Sequence, residues 1–224
     1  VIKHISFDLW LTLIKSHPQF KQKRAELIAQ TFGIKHIEPA AIEQFIRSVD
    51  KVIDRYNMIS GKKLAANNMY CRILQSVVPN SRTVSIDDAI ALRQQSDKLF
   101  MQYPPLFVND NIPQLLTQLK SEGYSINLSS NTGFIEGQIL RTTLSNLGIG
   151  SYFDFLVFSD EINASKPSSL FFEHVHQQTS CSKSEILHIG DNPQADYQGA
   201  INFGFNALLI TNSKYTIDVI RPKL

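Results

Sequence analysis

Hydrophobic positions change their spacing twice along the chain. Residues 2–7 alternate in character and stop at Asp8, the period-2 signature of a short strand. From about Pro18 to Met101 the spacing becomes helical. Phe20, Leu27, Ile28 and Phe32 share one stripe, ended by Gly33. Ile42, Phe45, Ile46, Val49, Val52 and Ile53 share a second, with Pro39 near its start. Residues 64–78 predict a third helix stopped by Pro79, and 86–101 a fourth. Ser85, followed three residues later by Asp88, is close to a capping box at the start of that fourth helix. Nothing over 20–100 reads as strand, and four helices in about 85 residues make a small bundle.

Beyond residue 105, strand and helix alternate. The pattern predicts helix over 111–122, strand over 124–129, helix over 133–147 and strand over 153–158. Helix over 168–178, strand over 186–189, helix over 194–203 and strand over 205–210 follow. Such alternation specifies a parallel sheet with right-handed crossovers and helices on both faces. The expected fold is therefore α/β. Residues 1–14 and 106–224 form a Rossmann-like core, and 15–105 form an inserted α-helical domain with Tyr103-Pro104-Pro105 as the return hinge.

Composition narrows the function classes. The 224 residues are 43% hydrophobic and 19% charged, which supports a sizeable core and argues against disorder. A formal net charge of +2 with no Lys/Arg stripe gives no case for a nucleic-acid partner, and the Lys21-to-Arg24 cluster reads as a solvated helix face. Cys71 and Cys181 lack metal-ligand spacing and fit a reducing compartment. No apolar run reaches membrane-spanning length, so a soluble cytoplasmic protein with no membrane partner is expected. No pattern specifies an oligomeric state.

Four segments each place a reactive group just past a predicted strand, where open α/β sheets bind their ligands. They are Asp8, the Ser130-Asn131 pair, Lys166-Pro167, and Gly190-Asp191 with Asp196. Taken singly each is ordinary: a strand-end Asp or Asn192 suits a turn, Ser130 or Thr12 a cap, and Lys166 the surface. Together they suggest chemistry. A carboxylate attacks phosphorus without prior deprotonation, and two strand-end carboxylates repel unless a cation or proton lies between them.

In order and spacing, these segments resemble the haloacid dehalogenase superfamily across essentially the whole chain. Asp8-Leu9-Trp10-Leu11-Thr12-Leu13 is similar to the opening Asp-x-Asp-x-Thr-Leu motif. Ser130-Asn131, Lys166-Pro167 and Gly190-Asp191 with Asp196 follow as the second, third and fourth motifs. The resemblance implies a Rossmann-like core with a helical C1-type cap, acting as a Mg²⁺-dependent phosphatase on a small phosphorylated molecule. It implies Asp8 as the nucleophile that becomes an aspartyl-phosphate, and Lys166 as the neutralising cation. Ser130 would donate to a phosphate oxygen, helped by backbone N–H groups at Asn131 and Thr132, and Thr12 would support the nucleophile loop. Asp8, Asp191 and the Trp10 carbonyl would hold Mg²⁺. Asp196 would coordinate directly, act through water, or orient Asp191.

Position 10 departs from the pattern. Phosphatases of the family carry a second Asp there, which protonates the leaving group and later activates water. Such help is worth ~10²–10⁴-fold, and an indole N–H neither gives up a proton usefully nor acts as a base. Hydrolysis of alkyl phosphates is therefore expected to be weakened, and that of aryl or acyl phosphates less so. An aromatic residue at this position also resembles the dehalogenase branch, which attacks carbon without a metal. Retention of Asp191 and Asp196 favours phosphoryl chemistry. A 2-haloacid dehalogenase-like hydrolase, and a protein that binds a phosphorylated ligand without turnover, are the alternatives. Leu11 replaces the usual Gly. His17, Trp10, Tyr56 and Tyr103 are cap-side or hinge candidates for touching substrate, although a linker histidine such as His17 is more often structural than catalytic. His174, His176 and His188 read as helix-face or strand residues.

Overall fold

The computed structural model describes residues 1–79, 82–211 and 215–224. Strand β1 (His4–Phe7) is followed by the two-residue β2 (Ile14–Lys15) and four helices: α1 (Phe20–Phe32), α2 (Pro39–Ser60), α3 (Ala66–Val77) and α4 (Ile86–Gln102). The chain returns through β3 (Leu106–Phe107) and α5 (Ile112–Ser121). It then alternates through β4 (Ser125–Ser130), α6 (Gly137–Asn146), β5 (Phe155–Phe158), α7 (Ser159–Ile162) and α8 (Ser169–Gln177). Strand β6 (Ile186–Gly190), α9 (Gly199–Phe203), β7 (Asn206–Leu209) and α10 (Ile217–Ile220) complete it. Five parallel strands pair in the order β5-β4-β1-β6-β7, so β1 is central and the expected α/β architecture is present. No helix among the described residues is long and apolar enough to cross a membrane.

Side chains alternate across a strand, so register decides which residues share a face. Ile5 pairs with Ile126 and Leu187, and Phe7 with Leu128 and Ile189. All six are buried in one cluster with Leu115, Leu116, Leu119, Leu140 and Leu144 from α5 and α6. The opposite face carries His4, Ser6, Asn127, Ser129 and His188, yet it too is buried. It lies against a second cluster containing Phe171, Phe172 and Val175 of α8, with the Phe172 ring 5.4 Å from that of His188. The period-2 alternation of these strands therefore does not mark a wet face. The polar half is enclosed and hydrogen-bonded to itself.

Between β2 and β3 the described residues contain no strand, and the four helices bury their own cluster around Ile42, Ile46, Tyr70, Ile73 and Leu92. The capping box forms as expected: Ser85 Oγ accepts from the Asp88 N–H, and Asp88 accepts from the Ser85 N–H. Beside the short helices α7 and α10, two further features lie outside the sequence expectations. β2 and β3 pair antiparallel, tying the start and end of the insertion together with two residues each, too few for periodicity to detect. The helix expected over 194–203 also opens as a wide π turn at Pro193–Gln198, where the Tyr197 N–H reaches back to the Asn192 carbonyl.

Candidate active site

Asp8 sits at the carboxyl end of β1, and the chain turns sharply behind it, with Leu11 in the left-handed region at φ 61°. Thr12 is buried on that turn and donates to Asp8 Oδ2 at 3.0 Å. Lys166 arrives before α8 and is 1% exposed. Its ammonium donates to Asp8 Oδ1 at 2.8 Å, Asp196 Oδ1 at 2.6 Å and the Ser129 carbonyl at 2.8 Å. Asn131 fixes this lysine from the end of β4: its amide donates to the Lys166 carbonyl at 2.9 Å and accepts from the Lys166 N–H at 2.8 Å. Beyond β6, the π turn swings Asp196 back under the strand end, where its Oδ2 accepts from the Asn192 N–H at 2.9 Å. Gly190 makes room for it, since a Cβ there would lie 2.3 Å from the Asp196 carboxyl.

One ammonium thus stands among three carboxylates, because ligand oxygens of Asp8, Asp191 and Asp196 lie within 4.8 Å of one another. Burial pushes the Asp8 carboxyl up to about 7, with the Lys166 ammonium pulling the other way and Asp196 adding to the rise. Burial, then Asp196, pushes Asp191 up to about 6. Burial works against Asp196 as well, but Lys166 and His188 outweigh it and hold this acid below the usual carboxylate range. Burial likewise opposes the Lys166 charge, and Asp196 and Asp8 more than restore it. The single cation is therefore spent chiefly on Asp196. Burial disposes Asp8 and Asp191 to hold a proton where no second cation is present, and Asp191 makes no ion pair among the described residues. Oxygen donors of this kind suit a hard divalent cation.

These groups open into a cavity of about 360 Å³. Asp8, Trp10, Asn131, Lys166, Asp191, Asn192 and Asp196 line it from the sheet side. The Trp10 ring lies 6.2 Å from Phe100, another lining residue. Thr12 and Ser130 are buried behind this surface, with the Ser130 hydroxyl donating to the Asn131 carbonyl at 3.2 Å. The Thr132 N–H, expected on a phosphate, is donated to Ser159 Oγ at 2.9 Å. Of the cap-side candidates Trp10 lines the cavity, whereas the His17 ring packs 5.5 Å from Tyr103 and neither of those two lines it, nor does Tyr56.

A model of the haloacid dehalogenase-like hydrolases matches residues 5–210. The chain belongs to this family. Among relatives of this family member, glyceraldehyde 3-phosphate phosphatase of Methanothermobacter thermautotrophicus is 35% identical over 106 residues, 47% of this chain and 45% of that one. The chain spans about half the length of the curated relatives it first matches. Among solved structures, the HAD-hydrolase YfnB from Bacillus subtilis bound to magnesium superposes with a TM-score of 0.73 at 15% identity, covering 93% of this chain and 88% of that one. The L-2-haloacid dehalogenase from Xanthobacter autotrophicus superposes with a TM-score of 0.65 at 16% identity, covering 99% and 81%. At these identities the two structures speak to the fold.

Sequence reasoning on this hydrolase-family chain passes over the groups behind the site. His188 Nε2 lies 3.3 Å from Asp196 Oδ1, and its Nδ1 lies 3.0 Å from Ser6 Oγ. Ser6 pairs with Ser129 at 2.8 Å, Ser129 accepts from Asn127, and Asn127 Oδ1 pairs with His4 Nε2 at 2.8 Å. Burial lowers the proton affinity of both histidines and so favours their neutral forms. With Asp196 ionised, His188 donates through Nε2 and accepts from Ser6. Donation then runs one way, from His4 through Asn127, Ser129, Ser6 and His188 to Asp196. The usable signal was the polar half of each strand's alternation.

Proposed function

We propose that this protein is a Mg²⁺-dependent phosphomonoester hydrolase that works through an aspartyl-phosphate on Asp8. The observation that carries this reading is the surplus of carboxylate at the strand ends, three acids around one lysine. Asp8, Asp191 and the Trp10 carbonyl would hold the cation, with Asp196 anchoring the Lys166 side of the site. Bound there, the ion supplies charge stabilisation to a phosphoryl group. Thr12 and Lys166 hold the Asp8 carboxylate from its two oxygens and aim it into the cavity. As Asp8 attacks, the Lys166 ammonium offsets negative charge building on the phosphoryl oxygens. Residues 15–105 would act as a C1-type cap over the site. A cavity of about 360 Å³ suits a small phosphorylated metabolite. The core motif offers no proton to the leaving oxygen at position 10, so aryl and acyl phosphates are the natural first probes.

Trp10 supports a second reading, metal-independent displacement at the carbon of a 2-haloacid. Phosphate release from p-nitrophenyl and acetyl phosphate, measured with and without Mg²⁺ beside halide release from 2-chloropropionate, separates the two. Mg²⁺-dependent phosphate release, lost in both Asp8→Asn and Asp191→Asn, is expected. Halide release indifferent to chelator would overturn the phosphatase reading in favour of the second.

A further inference from the structure

We propose that Asp50, carried by α2 of the helical insertion, is the proton donor and acceptor that position 10 lacks. The inference rests on the phosphatase reading above and adds a catalytic residue to it. Asp50 lines the same cavity as Asp8, Lys166 and Asp191. Its approach to the sheet is close: a Cβ placed on Gly133 would lie 3.4 Å from Asp50 Oδ1. Gly133 follows Ser130, Asn131 and Thr132 on the loop leaving β4, so the carboxyl reaches the loop that leaves the strand end, on the wall of the cavity it shares with Asp8.

The surroundings of Asp50 suit proton transfer better than structure. It makes no ion pair within 4.0 Å among the described residues, so no cation holds it permanently ionised. Lys21 and Arg24 from α1 and Lys63 after α2 face it at longer range, and Asp54 lies one turn along its own helix. Burial raises its proton affinity by more than those three cations lower it. A carboxyl kept protonated above the usual range is the form a general acid needs. The other candidates fit less well. His17 lies off the cavity against Tyr103. Asp54 also lines the cavity and burial pushes it up to about 6, but its side chain is exposed where Asp50 is half-buried and reaches Gly133.

The steps balance through one proton. An Asp8 oxygen forms a bond to phosphorus as the bond from phosphorus to the ester oxygen breaks, and the departing oxygen takes the Asp50 proton. The alcohol leaves, and Asp50 is now a carboxylate. It removes a proton from water as the water oxygen bonds to phosphorus and the bond from phosphorus to Asp8 breaks. Inorganic phosphate leaves, with Asp8 ionised and Asp50 protonated once more.

The test compares wild type, Asp50→Asn, Asp54→Asn and Asp50→Asn/Trp10→Asp in saturating Mg²⁺, using acetyl, p-nitrophenyl and glycerol phosphate. Asp50→Asn should lower kcat/KM on glycerol phosphate by about 100-fold or more, and by far less on the two esters with good leaving groups. Asp54→Asn should cost less on glycerol phosphate than Asp50→Asn does. The basic limb of the wild-type pH profile on glycerol phosphate should vanish in Asp50→Asn. Trp10→Asp, which puts a carboxyl back at the core position, should restore part of the loss. An equal fall on all three esters would make Asp50 a binding or structural residue and overturn the proposal, as would no fall on any. Absence of phosphate release by wild type from every ester would overturn the phosphatase reading itself. Asp50→Asn removes no hydrogen bond to a described residue, and an unchanged urea midpoint verifies that its fold is intact.

Discussion

The same strands hold the two faces of the sheet in place, but the faces use different forces. On one side Ile5, Phe7, Ile126, Leu128, Leu187 and Ile189 pack against α5 and α6. Packing of that kind is non-directional, and exchanging one apolar group for another of equal volume changes little. On the other side His4, Asn127, Ser129, Ser6 and His188 bond in a single direction toward Asp196, which holds Lys166 against Asp8. Hydrogen bonds constrain angle and tautomer as well as distance, and in a dry interior each unmet partner is costly. The apolar face therefore contributes cohesion. The polar face contributes orientation, and delivers it to the site.

Substitutions on the two faces should separate these contributions. Lys166→Met removes the one cation from Asp8 and Asp196, and breaking a buried pair from one side costs roughly 3–5 kcal/mol. Urea unfolding should register that loss, and phosphate release should disappear with it. Leu128→Ala, on the apolar face, should cost roughly 2–5 kcal/mol by the same measurement. Phosphate release per folded molecule should nevertheless be retained. A loss of activity out of proportion to unfolding would break the division between the faces.

Ser6→Ala is the sharper cut, since Ser6 Oγ joins Ser129 to His188. It should cost about 1–3 kcal/mol for the partners it strands, and lower kcat while leaving KM unchanged. The smallest effect concerns pH. Burial holds the His4 proton affinity below that of an unfolded histidine, so below about pH 6.5 the unfolded chain binds a proton that the folded chain refuses. The His4 contribution is complete above that pH and declines as pH falls, by at most about 1.4 kcal/mol per pH unit. Urea midpoints from pH 7.5 to 5.5 should fall more steeply for wild type than for His4→Gln.

Sequence reasoning reaches the parallel sheet because its alternation spans a hundred residues, and it reaches Asp8, Lys166, Asp191 and Asp196 because strand ends converge. The polar face is less legible. His188 reads as an ordinary strand residue, and Ser6 and Ser129 attract no reading at all, because a polar side chain buried under a second helical layer leaves no local mark in the sequence. Asp50 is hidden for a different reason. It falls between apolar stripe positions of a long helix, where a carboxylate looks solvated, and only the fold brings it over Gly133. The β2–β3 ribbon is too short to have a period at all.

Gly190 turns the site into a question of volume. Its backbone angles are ordinary, yet a single carbon there would claim the space of the Asp196 carboxyl. One added methyl would thus eject the second acid while every charged residue of the site stayed in the sequence. Any related chain with a larger residue just before its Asp191 counterpart must seat that acid elsewhere, however well its motifs match. Room for one absent carbon filters which sequences can build this centre.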